Sequence, residues 1–218
     1  MLVKYWMTTQ PITAEEDLSL MKASRLMKEH SIKHLPVMQG DRLIGIVSDR
    51  DLKEAQPSDA TSLDIHEMYF LLDKVKIRNL MSTKPHTTTA DEVVERAAAK
   101  MLKHGISALP VVDRKGKLQG IVSKGDLFRA MIAISGIHQA QLQIGLEVED
   151  QPGSVKKVTD IVRTHGGRIV SITTHHEDAP AGFQHIYIRC RAVADEESLM
   201  QELEQRFKTL YRAHYKVD

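Results

Sequence analysis

Two serine–aspartate pairs carry the most chemistry in this chain. Ser48 and Asp51 stand in GIVSDRDL from Gly45, and Ser123 and Asp126 stand in GIVSKGDL from Gly120. In each, an apolar run of strand type ends at the serine, and the aspartate falls about one turn into a helix. Backbone N–H groups at a helix start, with the helix dipole behind them, attract a phosphate, and a serine hydroxyl there adds a donor. A carboxylate in that place repels a bare anion but can accept two hydrogen bonds from a ribose diol. The pair therefore suits a nucleoside with a phosphate tail better than free phosphate. The alternative is structural: an aspartate at this point caps its own helix. The flanks of the two pairs differ. Lys124 follows Ser123 and would pair with phosphate, whereas Asp49 follows Ser48 and the cation, Arg50, comes one step later. On these residues a polyphosphate prefers the Lys124 side, unless groups of the opposite copy reverse that.

The elements that must position these pairs come twice. Pro11–Pro36 aligns without a gap on Pro85–Pro110 and is identical at nine of 26 positions, which fixes the register of an internal repeat. Two copies of one supersecondary unit usually pack together to bury a face that neither buries alone, so the groove between them is the first place to look for function. Each copy reads as an extended entry, a helix, two short apolar strands and a second helix. Leu20, Ala23 and Met27 share one helical face, and Val94, Ala97 and Met101 keep the same phase. The strands LPVM (Leu35–Met38) and LIGIVS (Leu43–Ser48) return as LPVV and LQGIVS. Pro36 and Pro110 begin strands, where a missing N–H is tolerated. Between the copies lie a polar stretch with Pro57 and then a helix that Thr61 or Ser62 would cap. Its face carries Ile65, Met68, Leu72 and Val75 and is expected to pack on the repeats. The last helix of the repeat region runs from Lys124 to about Ser135, where Gly136 can stop it.

From Leu142 the pattern changes. LQIGLEVE alternates Leu142, Ile144, Leu146 and Val148 as a half-buried strand does, and DQPGS turns the chain into a helix with Val155, Val158 and Val162 on one face. Gly166 can end that helix. RIVSITTHHE, the turn DAPAG and FQHIYIRCRA follow, with Ile186, Ile188 and Cys190 pointing one way. A helix with Leu199, Leu203 and Phe207 leads into the strand-like LYRAHYKV. Strand, helix, strand, strand, helix, strand is the ferredoxin-like order, an antiparallel sheet with two helices on one face.

Both copies resemble CBS domains, and together they resemble a CBS tandem, or Bateman module. The residues that carry the likeness are Met7-Thr8 and Met81-Ser82, the strands His34-Leu35-Pro36-Val37 and Ala108-Leu109-Pro110-Val111, and the two GIVS-x-x-DL segments. The resemblance implies that serine and aspartate hold the ribose and phosphate of an adenine nucleotide such as AMP, ATP or S-adenosylmethionine. It places the adenine between the entry segment, near Thr13 or Thr87, and the first strand, near His34 or Ala108. The implied set is Thr13, His34, Pro36, Ser48, Arg50 and Asp51 in the first copy, and Thr87, Ala108, Pro110, Ser123, Lys124 and Asp126 in the second. The C-terminal segment resembles an ACT domain, on DQPGSV (Asp150–Val155) and THGGRIVSI. That likeness implies a small effector bound at Asp150, Gln151, Gly153 and Ser154, often across a dimer interface; the alternative is that Pro152-Gly153 merely makes a tight turn. A CBS tandem, a helix such as MYFLLDKVKIRNLM between the copies and a C-terminal ACT domain are together similar to a family of acetoin-utilisation proteins. This implies a regulatory role in acetoin catabolism, although nothing in the residues themselves points to acetoin. The expected fold is α+β: a pseudo-symmetric pair of CBS domains at 1–60 and 77–135, a helical linker at 61–76, and a ferredoxin-like βαββαβ ACT domain at 140–218.

Composition narrows the function further. The 218 residues carry 30 basic and 29 acidic side chains for a net charge of +1, so no bulk attraction to nucleic acid or anionic membrane exists. The single cysteine excludes an internal disulfide, and MLVKYWMTTQ lacks the pattern of a secretory leader. LFRAMIAISGI is too short to span a membrane and carries Arg129. A cytoplasmic protein is expected. His175 and His176 are adjacent on a strand and point to opposite faces, and no helix carries a metal-ligating histidine pair, though His165, His175 and His185 could converge. Cys190 reads as a buried strand residue with no base to activate it. The leading expectation is a non-enzymatic, homodimeric regulatory protein with no required cofactor, no catalytic residue and no metal, acting on a regulated protein partner. The rivals are a protein-interaction module with empty clefts and a metal-dependent enzyme.

Overall fold

In a computed structural model of the chain, residues 1–56 and 65–215 are described, those at 65–69 by backbone alone. The caps expected at Thr61 or Ser62, and the side chains of Ile65 and Met68, lie outside the described residues. The chain forms two compact units, Met1–Ala130 and Met131–Asp218.

The first unit opens with an entry strand, β1 (Thr8–Thr9). The first copy then runs β2 (Ala14–Glu15), α1 (Leu20–Glu29), β3 (His34–Gln39), β4 (Arg42–Ser48) and α2 (Asp49–Glu54). After α3 (Ile65–Lys74) comes a second entry strand, β5 (Ser82–Thr83), and then α4 (Val94–Lys103), β6 (Ala108–Val112), β7 (Leu118–Ser123) and α5 (Lys124–Ser135). The first unit ends within α5. Helical periodicity holds in both copies: Leu20, Ala23 and Met27 on α1, and Val94, Ala97 and Met101 on α4, are buried against the strands. Burying one such leucine contributes about 1.5–3 kcal/mol. The Ser19 hydroxyl accepts the Lys22 N–H at the start of α1 and donates to Asp73 of α3 at 2.7 Å, fixing the helix between the copies against the first one.

Strand pairing crosses between the copies. β5, which leads into the second copy, pairs with β4 of the first, and β1, which leads into the first, pairs with β7 of the second. The sheets are β2-β3-β4-β5 and β1-β7-β6. The cores follow the same exchange, since Leu72 and Ile77 pack into the first and Val3 into the second. This crossing explains the glycine that opens each GIVS. A Cβ on Gly120 would lie 2.7 Å from the Thr8 carbonyl oxygen, and one on Gly45 would meet the Met81 side chain and the Ser82 carbonyl.

The second unit runs β8 (Leu142–Glu149), α6 (Ser154–Thr164), β9 (Arg168–His175), β10 (Phe183–Arg191), α7 (Glu196–Arg206) and β11 (Lys208–His214). The sheet is antiparallel in the order β11-β8-β10-β9, the ferredoxin-like arrangement. One face packs Ile144, Leu146, Ile186 and Ile188 against Val158, Val162, Leu199 and Leu203 of the helices. β8 departs from the half-buried strand its alternation predicts, because Gln143 and Gly145 are buried too. The Gln143 amide donates to the Tyr211 hydroxyl at 2.7 Å and its carbonyl accepts from Tyr215, while Gly145 leaves room for the rings of Tyr211 and Tyr187. Backbone pairing thus brings tyrosines from neighbouring strands over a strand face that otherwise reads as exposed.

Candidate functional site

Ser48 ends β4 and caps α2. Its hydroxyl accepts the Asp51 N–H at 3.3 Å, while Asp51 Oδ2 accepts both the Ser48 N–H and the Ser48 hydroxyl at 2.7 Å. Ser123 and Asp126 repeat this arrangement at the start of α5, with distances of 3.4, 2.7 and 2.6 Å. Both aspartates therefore cap their helices, as the structural alternative predicts. The Asp49 and Lys124 N–H groups are also taken, by the carbonyls of Lys33 and Ser107. Much of the helix start is thus satisfied internally. Of the N–H groups expected to cradle a phosphate, those of Asp49, Asp51, Lys124 and Asp126 are already bonded, which leaves side-chain cations as further groups to meet one.

Those cations surround a cleft of about 800 Å³ in the first unit. The first copy contributes Lys33, His34, Ile46 and the run Ser48–Asp51 with Lys53 and Glu54; the second contributes Ser82–His86, His104–Ala108 and Lys124. Five basic side chains face three acidic ones, and Lys53 is paired with Asp49 at 2.8 Å. Among the described residues no hydrogen bond is made to Asp51 Oδ1, the carboxylate oxygen that an added hydroxyl would meet. His34 lies beside Ser48 in strand register, and its Nε2 shares a 2.8 Å hydrogen bond with the Ser107 hydroxyl of the other copy. Burial pushes the His34 imidazole below its usual pKa, with the Asp51 charge opposing. His86 and His104 stack with ring centroids 3.7 Å apart, and burial followed by the His86 charge lowers His104. The lowered pKa of His34 and His104 disfavours their charged forms, so the cleft's capacity for phosphate lies chiefly in lysine and arginine.

The remaining expected residues fall elsewhere. Ala108 and Lys124 line this cleft together with Asp51, so Lys124 stands in the same cleft as the first copy's aspartate. Arg50 also lines it. Thr13 is exposed, Pro36 and Pro110 are buried in their strands, and Thr87 accepts Lys100 Nζ on its carbonyl at 2.8 Å; none of these four lines the cleft. Ser123 and Asp126 do not line it either, and Asp126 is 5% exposed with its Oδ1 bonded to Arg129. Sequence reasoning did not place Lys33, Lys84, His86 and His104 at the site: Lys33 directly precedes β3, Lys84 and His86 follow β5, and His104 caps the end of α4.

In the second unit a smaller cleft of about 380 Å³ is lined by Gln151 and Ser154 of the expected turn, together with Lys157, Arg206, Lys208, Phe183 and Phe207. Asp150 and Gly153 do not line it. Gly153 has φ +93° with open space where a Cβ would go, so its left-handed turn, and not a close approach, requires glycine. The histidines separate: His165 bonds Glu202 at 2.9 Å, His175 faces Asp178, and His185 faces Glu147. Among the described residues no group of three side chains could hold a metal ion. Cys190 is fully buried, and desolvation pushes its thiol up to about 11, which removes it as a nucleophile at neutral pH. No described helix is long and apolar enough to cross a membrane.

A family model for the CBS domain matches residues 3–58 and 77–133. The chain is 36% identical over 127 residues to homoserine O-acetyltransferase of Methanosphaerula palustris, covering 58% of this chain and only 23% of that protein's length. Among solved structures, the CBS domain pair of protein MJ0100, in complex with methylthioadenosine and S-adenosylmethionine, superposes with TM-score 0.50 at 32% identity over 60% of this chain and 99% of that one. CBSX2 from Arabidopsis thaliana, in complex with AMP, gives TM-score 0.50 at 30% identity over 62% and 98% of the two chains. A Vibrio cholerae protein described as an acetoin utilization protein, AcuB, gives TM-score 0.52 at 28% identity over 64% and 96%.

Proposed function

Because the chain belongs to the CBS-domain family through a tandem pair, we propose that it is a regulatory protein that senses an adenine nucleotide in the cleft between its two copies. The observation that carries this is the Asp51 carboxylate beside Ser48 in one cleft with Lys33 of the same copy and Lys84 and Lys124 of the other. A ribose hydroxyl would donate to that oxygen while phosphates meet the cations. The excess of basic over acidic side chains favours AMP or ATP over S-adenosylmethionine, whose sulfonium adds positive charge. MJ0100 and CBSX2 support the ligand class. In this reading the site consists of His34, Ser48, Arg50, Asp51, Ala108 and Lys124, with Thr13, Pro36, Thr87 and Pro110 shaping it from behind and Ser123 and Asp126 forming a second corner.

The same proposal takes residues 1–60 and 77–135 as the CBS domains, 61–76 as their linker and 140–218 as an ACT domain that receives an anionic metabolite at Asp150, Gln151, Gly153 and Ser154. Lys157 supplies charge for it, with Arg206 and Lys208, which are paired with Glu202 and Glu147, in the same cleft. The likeness to AcuB supports a role in acetoin catabolism, exerted without catalysis, as a homodimer acting on a regulated protein partner. The capping role of both aspartates favours a second reading, an interaction module whose corners are structural. Calorimetric titration with AMP, ATP and S-adenosylmethionine decides between them. Micromolar binding of a phosphorylated ligand, weakened by Lys124→Ala and more so at low salt, supports nucleotide sensing; no heat with any of the three supports the interaction module.

A further inference from the structure

Resting on the nucleotide reading of the Asp51 cleft, we propose that Arg129 occupies the second carboxylate and makes the module take one nucleotide tightly per chain. Asp126 Oδ2 accepts the Ser123 N–H and hydroxyl, and Asp126 Oδ1 accepts Arg129 Nη2, so both oxygens of a 5% exposed carboxylate are engaged. Asp51 makes the same capping bonds, but the residue three positions on is Glu54, whose like charge cannot pair with it. A ribose reaching Asp126 must replace an ion pair, in which both groups are charged, with a bond in which only the carboxylate is charged, and must displace the guanidinium from a carboxylate whose other oxygen is already satisfied. The difference corresponds to roughly tenfold in affinity or more. Arg129 is thus a specificity-determining residue for the pair. Its side chain is 68% exposed, so it can be exchanged without opening a core cavity.

Calorimetry of the full chain with AMP tests this. Wild type is expected to show one tight event per chain and a second at least tenfold weaker. Arg129→Ala should tighten the second event about tenfold and leave the first unchanged, and Arg129→Lys, which keeps a cation in reach of Asp126, should stay close to wild type. Two equal events in wild type, or a second event in Arg129→Ala as weak as before, would overturn the proposal. Absence of any AMP binding to wild type is a different failure, because it removes the nucleotide reading on which this inference stands. The wild-type stoichiometry is decisive even if the alanine variant is unstable.

Discussion

The Ser48–Asp51 and Ser123–Asp126 corners share backbone, capping bonds and place in the repeat, yet the first lines the large cleft while the second is closed by Arg129. The matching half of this comparison is local. A serine that ends a strand and an aspartate three residues on satisfy each other's N–H groups in any copy. The differing half comes from neighbours: Glu54 against Arg129 one turn further, and His34 against Ala108 on the adjacent strand. A shared motif therefore specifies a helix start, and the surrounding side chains decide whether a ligand can use it.

Three tests would break or sharpen that contrast. The largest effect is expected from Asp51→Ala, which removes from the cleft the carboxylate that would accept a ribose hydroxyl. Nucleotide affinity should fall by about 1.5–3 kcal/mol, the range for a hydrogen bond to a charged group, measured by titration on protein whose folding is verified by melting. Retained affinity in that variant would mean that the two corners do not differ as described. Next comes the pair of glycines. Gly120→Ala drives a methyl group into the Thr8 backbone carbonyl, whereas Gly45→Ala meets chiefly the flexible end of Met81. Overpacking should cost about 1–3 kcal/mol at Gly120 and less at Gly45, and denaturant unfolding that ranked them in reverse order would contradict the strand crossing.

The smallest effect concerns pH. The folded-state pKa of His34 is lowered from 6.5, chiefly by burial, so its contribution to stability is complete above pH 6.5 and is lost as pH falls through the lowered value. Ala108 gives the second copy no counterpart. Melting temperatures between pH 7 and 5 should fall less steeply for His34→Gln than for wild type, and parallel curves would show that this imidazole is not held neutral by its surroundings.

Much of this architecture was legible from residue order. Helical phase placed Leu20, Ala23 and Met27 inward and set Val94, Ala97 and Met101 beside them in kind, and the helix from Lys124 does stop at Gly136, where φ is +69°. The glycine of each GIVS was visible as a residue but not as a requirement, because its reason lies in an entry strand from the other copy. The alternation of β8 hid Gln143 and Gly145, since the tyrosines that cover them are more than 40 residues away in sequence.

The sequence by itself determined the repeat, the type and phase of its elements, and the serine–aspartate caps, because each rests on contacts within about one turn or on a period of two or 3.6 residues. Only the tertiary structure decided that Lys124 shares a cleft with Asp51, that His34 meets Ser107, and that Lys84 and His86 stand opposite them. Those pairings depend on where β1 and β5 cross between the copies. Such a crossing is selected by the joint burial of two sheets, to which no single stretch of chain holds the answer.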